Sequence, residues 1–321
     1  MPLTEPRLTY KPFEYPWAYD AWLAQQQMHW IPQEIPMADD VKDWLTTLKP
    51  NEKNLLTQIF RFFTQADVEV HDCYMTKYAG VFKVPEIVMM LTSFANMETV
   101  HIAAYSHLLD TVGMPEIEYG AFLKYSQMKD KCDYLHTFDV DTDENIASTL
   151  AVFGAFTEGL ALFASFAILL NFPRFNKMKG MGQIVTWSMR DETLHINSII
   201  KLFHTFMKEK NLWSNKMSSR IRDIAVDMVE HEDAFIDLAF EFGCVEGLSP
   251  EEVKQYIRYM ADRRLKQLGL KPCYGSEGKP ITNPLGWLDG IINDPENSNF
   301  FESRVTEYAR GATKDTWNDV F

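Results

Sequence analysis

The stretch 94-FANMETVHIAAYSHLL-109 is an apolar run with helical spacing that also contains a carboxylate, an imidazole and a phenol, at Glu98, His101 and Tyr105. At about 100° per residue, these three side chains fall within a stripe of about 60° on an α-helix. The stripe also contains Leu109, which predicts that it faces the core. Burying a carboxylate and an imidazole is costly unless a partner such as a metal ion compensates. A hydrogen-bonded core histidine beside a helix-surface glutamate is the commoner explanation of a single Glu-x-x-His pair, so one motif does not decide.

A second Glu-x-x-His pair occurs in 189-MRDETLHINSI-199, at Glu192 and His195. Of the eight histidines, only His101 and His195 have a glutamate three residues earlier. Each pair is preceded by a predicted helix with a carboxylate in apolar company, Asp67 in 62-FFTQADVEV-70 and Glu158 in 152-VFGAFTEGLALFASF-166. Glu158 is the only charged residue between positions 145 and 171. Such a buried charge must be neutralised, paired or bound to a metal.

Two helices with Glu-x-x-His and two helices with one carboxylate each form the ligand set of a ferritin-like dimetal-carboxylate bundle. Four carboxylates and two neutral imidazoles supply four negative charges, which balance two divalent ions. Mixed oxygen and imidazole ligands suit iron or manganese better than zinc or copper. The predicted metal ligands are therefore Asp67, Glu98, His101, Glu158, Glu192 and His195.

The helix pattern also indicates an all-α bundle. Apolar spacing predicts helices over 17–28, 40–47, 51–79, 85–112, 116–136, 144–171, 178–211, 216–242 and 250–268, with no strand pattern. Several of these helices are longer than the ordinary mean, which is typical of a bundle whose helices span the domain. We predict a ferritin-like bundle with an extended N-terminal arm over residues 1–299, followed by a flexible C-terminal tail over 300–321.

The composition excludes several classes of function. Lys and Arg number 31 against 45 Asp and Glu, a net charge of −14, so the surface should repel nucleic acid and anionic membranes. The four cysteines show no C-x-x-C spacing, which disfavours a disulfide framework and a zinc ribbon. The longest uncharged apolar run, 160–170, is too short to cross a bilayer, and the N-terminal residues do not resemble a signal peptide. We expect a soluble, cytoplasmic protein.

The sequence resembles the small, radical-generating subunit of class I ribonucleotide reductase along nearly the whole chain. The resemblance rests on Asp67, Glu98-x-x-His101-x-x-x-Tyr105, Glu158 and 190-RDETLH-195. It implies that the six ligands bind two metal ions per chain, most often iron, with manganese or a mixed pair as alternatives. It also implies that oxygen reacts at the metal pair and that Tyr105 becomes a stable tyrosyl radical. The radical would drive reduction of ribonucleotides to deoxyribonucleotides in the large subunit.

The resemblance further implies a route for electron transfer. Trp30 and Asp191 would form a relay with His101, and Tyr308 in the tail would carry the electron transfer across to the large subunit. Glu302, six residues before Tyr308, is a weaker candidate for handling its proton. The C-terminal tail would dock on the large subunit, and the small subunit itself would be a homodimer.

The resemblance also assigns the lining of the radical pocket to Leu162, Phe166 and Ser188. The first two fit the apolar pocket that many relatives have. Ser188 departs from the pattern because an aliphatic residue is common at that position. Its hydroxyl would either admit water to the pocket or hydrogen-bond to Tyr105, which makes the lifetime of the radical an open question.

Two other functions fit a dimetal bundle: an oxidase or monooxygenase that binds a long-chain ligand, and a non-enzymatic metal store. The relay residues have no use in the first, and metal stores are usually shorter chains that assemble into shells. Two further acidic clusters, 69-EVHD-72 and 230-EHEDAF-235, also look like ligand sets. Their side chains point around the helix rather than along one stripe, so we predict solvated or interface faces.

Overall fold

The structure, a computed structural model, describes residues 2–276 and 281–292, and this part of the chain is mostly helical. The α-helices are α1 Pro16–Gln27, α2 Ala38–Lys42, α3 Pro50–Asp72, α4 Ala79–Val81, α5 Pro85–Val112, α6 Ser126–His136, α7 Asp143–Leu150, α8 Leu162–Arg174, α9 Lys179–Glu209, α10 Asn215–Ala239, α11 Pro250–Gln267 and α12 Gly286–Ile292. Across the described ranges there is no strand, only an isolated bridge between Val245 and Leu248. The predicted all-α class is confirmed.

Three π-helical segments continue these helices. Asp43–Thr47 follows α2, Cys73–Tyr78 follows α3, and Ala151–Ala161 joins α7 to α8. The predicted helices 40–47, 51–79 and 144–171 therefore change their hydrogen-bonding pattern part-way along. Apolar spacing did not indicate these changes. Because π-helical turns are rare and often mark functional sites, their position beside predicted ligands is informative.

The helix ends follow from local chemistry. The Ser249 side chain accepts a hydrogen bond from the backbone of Glu252 and so begins α11, while Ser214 begins α10 in the same way. Helix α5 ends at Gly113, whose φ of 76° is readily adopted only by glycine. The helix predicted to end at residue 79 continues further, because Gly80 lies inside α4.

One predicted helix is wrong in part. The predicted 116–136 helix consists of two 3₁₀ turns, Glu116–Glu118 and Ala121–Lys124, followed by α6. Gly120 separates the turns, and Tyr125 is extended with φ −104° and ψ 117°. Glycine lowers helix propensity, and an extended residue ends any continuous helix, so apolar spacing alone overestimated the helix. Helix α12 lies in a segment for which no helix was predicted.

Among the residues that the structure describes, two helices are long and apolar enough to cross a membrane by length and composition alone, Pro85–Val112 and Asp143–Arg174. However, 61% and 100% of their most apolar windows are buried inside the bundle. Their apolar side chains form the core that surrounds the predicted ligands. Their hydropathy is therefore explained by packing within the protein.

The elements that carry the predicted ligands pack against one another. These are α3, α5, α9 and the π segment Ala151–Ala161. The π segment lies close to α9 because residue 154 is glycine, and an added Cβ there would overlap Ile199. At the N-terminus, residues 2–15 form an irregular arm, in which the carbonyl of Leu3 accepts a hydrogen bond from the backbone of Lys83. The tail predicted over 300–321 lies outside the described residues.

Candidate metal centre

The six predicted ligands lie together in the core and form two overlapping groups. In each group, one candidate ligand atom per residue lies within 4.8 Å of the others. Site A consists of Asp67, Glu98, His101 and Glu192, and site B consists of Glu98, Glu158, Glu192 and His195. All six side chains are buried. Their helices are far apart in sequence, so the bundle itself creates the cluster.

Glu98 and Glu192 belong to both sites and lie between the two imidazoles. The Nδ1 of His101 is 3.4 Å from Glu98 Oε2 and 3.2 Å from Glu192 Oε1. The Nδ1 of His195 is 3.1 Å from Glu98 Oε1 and 3.3 Å from Glu192 Oε2. Each carboxylate thus presents one oxygen to each side of the cluster. Carboxylates in this arrangement can bind two ions at once.

The outward nitrogen of each imidazole has its own partner. The Nε2 of His101 lies 3.3 Å from Asp191 Oδ2, and the Nε2 of His195 lies 2.9 Å from Gln25 Oε1. An imidazole that donates through Nε2 keeps the lone pair of Nδ1 free, which is the tautomer that binds a metal. Gln25 was not predicted from the sequence. The helical spacing of Ala18, Ala21 and Gln25, all of which are buried in α1, was the pattern that could have indicated that it faces the core.

The cluster has more acceptors than donors. Within the described part of the chain, Asp67 Oδ2, Glu158 Oε2 and both oxygens of Glu98 and Glu192 are buried without a hydrogen-bond partner. Unpartnered buried carboxylate oxygens are costly, whereas two divalent cations would satisfy them. The residues therefore fit a pair of metal ions, and the mixture of carboxylate and imidazole favours iron or manganese.

Protons occupy the cluster when no ion compensates its charge. Burial raises the pKa of Asp67 and of Glu158 well above the ordinary carboxyl value. Burial acts to lower the pKa of His195, but the nearby carboxylates of Glu192 and Glu98 outweigh this and raise it to about 10. Near neutral pH, the metal-free protein therefore holds protons on these side chains, and an ion that binds must displace them.

We expect the affinity of the metal-free protein for Mn²⁺ to increase as the pH is raised from about 6 to about 8. The sign follows from the raised pKa values, because protons that are bound below those values compete with the ion. Each proton released on binding should increase the affinity for Mn²⁺ about tenfold per pH unit. Isothermal titration calorimetry in buffers of different ionisation enthalpy measures that release. Affinities that are equal at both pH values would contradict the prediction.

A chain of hydrogen bonds leads outward from His101. Trp30 donates from Nε1 to Asp191 Oδ2 at 2.8 Å, and the same oxygen contacts His101. The other oxygen of Asp191 accepts two hydrogen bonds from Arg190, at 3.0 and 2.8 Å. Burial acts to raise the pKa of Asp191, but the bond to His101 and the Arg190 charge lower it below the ordinary value. Asp191 is therefore an ionised link between Trp30 and the cluster.

Tyr105 is buried, and its hydroxyl donates to Ser188 Oγ at 3.2 Å. Of the two possibilities left open for Ser188, the structure has the hydrogen bond. The ring of Tyr105 packs edge-on against Phe63, with centroids 4.6 Å apart, and Phe63 in turn contacts Phe166. Leu162 is buried one turn before Phe166 in α8. Burial raises the pKa of Tyr105 well above the ordinary phenol value, so the hydroxyl keeps its proton.

Tyr74 is a further buried tyrosine at the cluster, and it was not predicted from the sequence. Its hydroxyl donates to Glu158 Oε1 at 2.6 Å. Tyr74 follows Asp67 by seven residues, a spacing that places both side chains on nearly the same face of a helix. That spacing was the available signal. Tyr308 and Glu302 lie outside the described residues.

One of the two additional acidic clusters differs from its prediction. Glu230 is exposed, but Glu232 is fully buried and forms an ion pair with Lys131 at 2.5 Å. The Lys131 ammonium also lies over the rings of Phe62 and Phe235, 3.9 and 4.5 Å from their centroids. The prediction of a solvated or interface face is therefore wrong for Glu232. Its buried counter-charge comes from α6, which is distant in sequence.

Comparison with known proteins identifies the family. The family "Ribonucleotide reductase, small chain" matches residues 7–284. The chain belongs to this family. A small chain of 44% identity, the probable ribonucleoside-diphosphate reductase small subunit of Invertebrate iridescent virus 6, aligns over 100% of this chain and 99% of that protein. The ribonucleoside-diphosphate reductase subunit beta of Chlamydia pneumoniae is 30% identical over 92% of this chain and 88% of its own length.

Several solved structures have a similar fold. The ribonucleotide reductase R2 subunit of Clostridium botulinum superposes with a TM-score of 0.79 at 23% identity, covering 89% of this chain and 91% of that one. The dimanganese(II)-NrdF of Streptococcus sanguinis gives a TM-score of 0.74 at 19% identity, covering 90% and 100%. The predicted ferritin-like fold is confirmed. The chain is the small subunit of an oxidoreductase, which implies a large-subunit partner. Its cluster of carboxylates and histidines is suited to a dimetal site.

Proposed function

We propose that this small chain generates a tyrosyl radical on Tyr105 and delivers its oxidising equivalent to the large subunit. The observation that carries the proposal is the pair of overlapping ligand groups, sites A and B, in the same buried core as a tyrosine. When bound there, two iron or manganese ions supply the chemistry of oxygen activation, which side chains alone lack. The protein holds the ligands in place and excludes water.

Iron is the metal that we propose. All six ligands are carboxylates or imidazoles, which suit iron and also manganese, so the donor set supports a dimanganese or mixed pair as alternatives. The name of the Streptococcus sanguinis structure gives two manganese(II) ions for that protein. Metal analysis of protein purified from its natural source would distinguish the three compositions.

The surroundings of Tyr105 support its role as the oxidised residue. Oxidation of a phenol to a neutral radical removes one electron and one proton. Ser188 Oγ, at 3.2 Å, already accepts a hydrogen bond from the Tyr105 hydroxyl and offers that proton a first step. Phe63 covers one side of the Tyr105 ring and shields it from water, and Phe166 packs against Phe63. A dry aromatic pocket favours a long radical lifetime.

The route out of the core begins at His101. The bonds that join His101, Asp191 and Trp30 support a continuous path from site A to the indole ring. Trp30 also packs edge-on against Trp187, with centroids 5.1 Å apart. We propose that the oxidising equivalent moves outward along this path and through Tyr308 to the docked large subunit, while an electron moves in the opposite direction and Glu302 handles the tyrosine proton.

A cytoplasmic homodimer is the form that we propose for the small chain. Nucleotide reduction belongs to the compartment where thiols stay reduced, and the four cysteines show no spacing typical of disulfide frameworks. The helix formed by α3 and its π segment exposes Val68 and Met75, which lie seven residues apart and share one face. An exposed apolar stripe of this kind suits a second copy of the chain.

The experiment that tests the proposal uses Tyr308→Phe. We expect this variant to keep two metal ions and the full tyrosyl signal in electron paramagnetic resonance, because only the tail is changed. Ribonucleotide reduction by a matched large subunit should fall to background, because phenylalanine cannot be oxidised at an accessible potential. Deoxyribonucleotide formation is measured beside the radical signal.

A truncation serves as the comparison for Tyr308→Phe. Removal of 310-RGATKDTWNDVF-321 leaves Tyr308 present and should instead weaken binding of the large subunit. The two variants therefore separate electron transfer from docking. Wild-type turnover in Tyr308→Phe would exclude this route, and a wild-type protein without any tyrosyl signal would exclude Tyr105 as the radical site.

A further inference from the structure

Tyr74 is the second phenol of the metal centre. It lies at the start of the π segment Cys73–Tyr78 and is 3% exposed. Its hydroxyl donates to Glu158 Oε1 at 2.6 Å, and its ring contacts His195 edge-on, with centroids 6.3 Å apart. Both partners belong to site B. None of the roles proposed above involves Tyr74.

We propose that Tyr74 is a positioning residue for site B, which fixes the carboxylate of Glu158 so that a single oxygen is offered to the metal. The inference rests on the proposed function, because it assumes that sites A and B bind ions. It concerns how site B is built, and it leaves the identity of the radical unchanged.

The two oxygens of Glu158 have different surroundings. Oε1 accepts the short bond from Tyr74, while Oε2 is buried without a hydrogen-bond partner among the described residues. When an ion binds and Glu158 loses its proton, the hydrogen bond from Tyr74 is made to an ionised carboxylate, which makes it roughly twice as strong as a neutral one, so it fixes the rotation of the carboxyl group. Oε2 is therefore the oxygen left for an ion. A carboxylate that offered a single oxygen would hold an ion there and leave more room for a further ligand.

Nothing else described near Glu158 can replace Tyr74. The flanking residues of the π segment are mostly apolar, and the Thr157 hydroxyl is already bonded to the carbonyl of Val152 at 2.9 Å. The Nδ1 of His195 is 3.9 Å from Glu158 Oε1, too far for a hydrogen bond. The orientation of Glu158 therefore depends on a single donor.

The same helix serves both sites. Asp67 lies in α3 and belongs to site A, and Tyr74 follows seven residues later, where α3 continues into its π segment. Both side chains thus face the centre from one side. Any shift of α3 along its axis would therefore move Asp67, a ligand of site A, together with Tyr74, which orients a ligand of site B.

The test compares Tyr74→Phe with Tyr78→Phe. Tyr78 is a matched control because it is also buried, lies in the same π segment, and donates to a backbone carbonyl, that of Thr149 at 3.0 Å. Each variant loses one oxygen and one buried hydrogen bond. Metal-free protein is titrated with Mn²⁺, and the free ion is followed by its electron paramagnetic resonance signal.

We expect Tyr74→Phe to weaken one of the two binding steps about tenfold or more, the usual effect of removing a group that orients a metal ligand. The other step should be unchanged, and Tyr78→Phe should leave both at wild-type affinity. Equal titration curves for the two variants would overturn the inference. A wild-type protein that fails to bind two ions would instead overturn the proposed function, so the two failures are distinguishable.

A double-mutant comparison separates positioning from packing. In a Glu158→Gln background the carboxylate is already gone, so adding Tyr74→Phe should produce no further loss of Mn²⁺ affinity. If the loss is the same in both backgrounds, Tyr74 acts only by filling space, and the inference is wrong. Melting curves of the metal-free proteins show whether each variant is folded before titration.

Discussion

Replacing Tyr105 with phenylalanine is expected to abolish the tyrosyl signal and to reduce ribonucleotide reduction to background, while both metal ions remain bound. The change removes one oxygen and its bond to Ser188, so the expected stability loss is only about 1 kcal/mol. Phenylalanine fills the same space beside Phe63 but cannot supply the electron. Electron paramagnetic resonance, metal analysis and turnover with a matched large subunit together test the prediction.

Ser188→Ala is the matched control for Tyr105→Phe. It breaks the same hydrogen bond but leaves the phenol in place, so the tyrosyl radical should still form, more slowly because the first acceptor of its proton is gone. The high-field resonance spectrum should change, because it reports hydrogen bonding to the phenoxyl oxygen. If Tyr105→Phe kept wild-type turnover, the metal ions themselves would be the oxidant for the large subunit.

The second large effect is expected from Glu158→Ala, which should lower the metal content from two ions to one or fewer and remove reactivity with oxygen. Glu158 belongs to site B alone, so site A retains its four ligands. The metal-free variant should remain folded. The substitution removes a buried carboxyl group with an unpartnered oxygen, and burying such a group is itself unfavourable. Atomic absorption and oxygen consumption measure the two effects.

Glu69→Ala provides the comparison for Glu158→Ala. Glu69 is only two residues from Asp67, but it turns away from the centre and contacts His136 at 2.8 Å. Its loss should leave metal content and oxygen consumption unchanged. Two tightly bound ions in Glu158→Ala would show that Glu158 is not a ligand.

Much of the centre was predictable because its ligands lie on regular helices. The two Glu-x-x-His pairs keep helical spacing within α5 and α9, so sequence periodicity alone places each pair on one face. Glu158 was recognisable because it is an isolated charge in a long apolar run. Such signals are local. They require no knowledge of which helices are neighbours.

The supporting contacts were not predictable in the same way. Gln25 reaches His195 across 170 positions of sequence, and Tyr74 reaches Glu158 across 84. Single-sequence periodicity shows that such a residue is buried, but not which partner it meets. The Lys131–Glu232 ion pair illustrates the same limit. Glu232 is predicted to be solvated, because its sequence neighbours do not indicate that the helix carrying Lys131 packs beside it.

The π segment Ala151–Ala161 makes the number of residues in this stretch as important as their identities. A π turn holds more residues than an α turn of the same rise, so removing one residue would allow an α turn to form there. Side chains inside the segment that follow the deletion would then be displaced by one position, a rotation of about 100°. Glu158 lies inside the segment, and its side chain faces the metal centre only with the present number of residues in the segment. A relative shorter by one residue here would direct a neighbouring side chain at the ions instead.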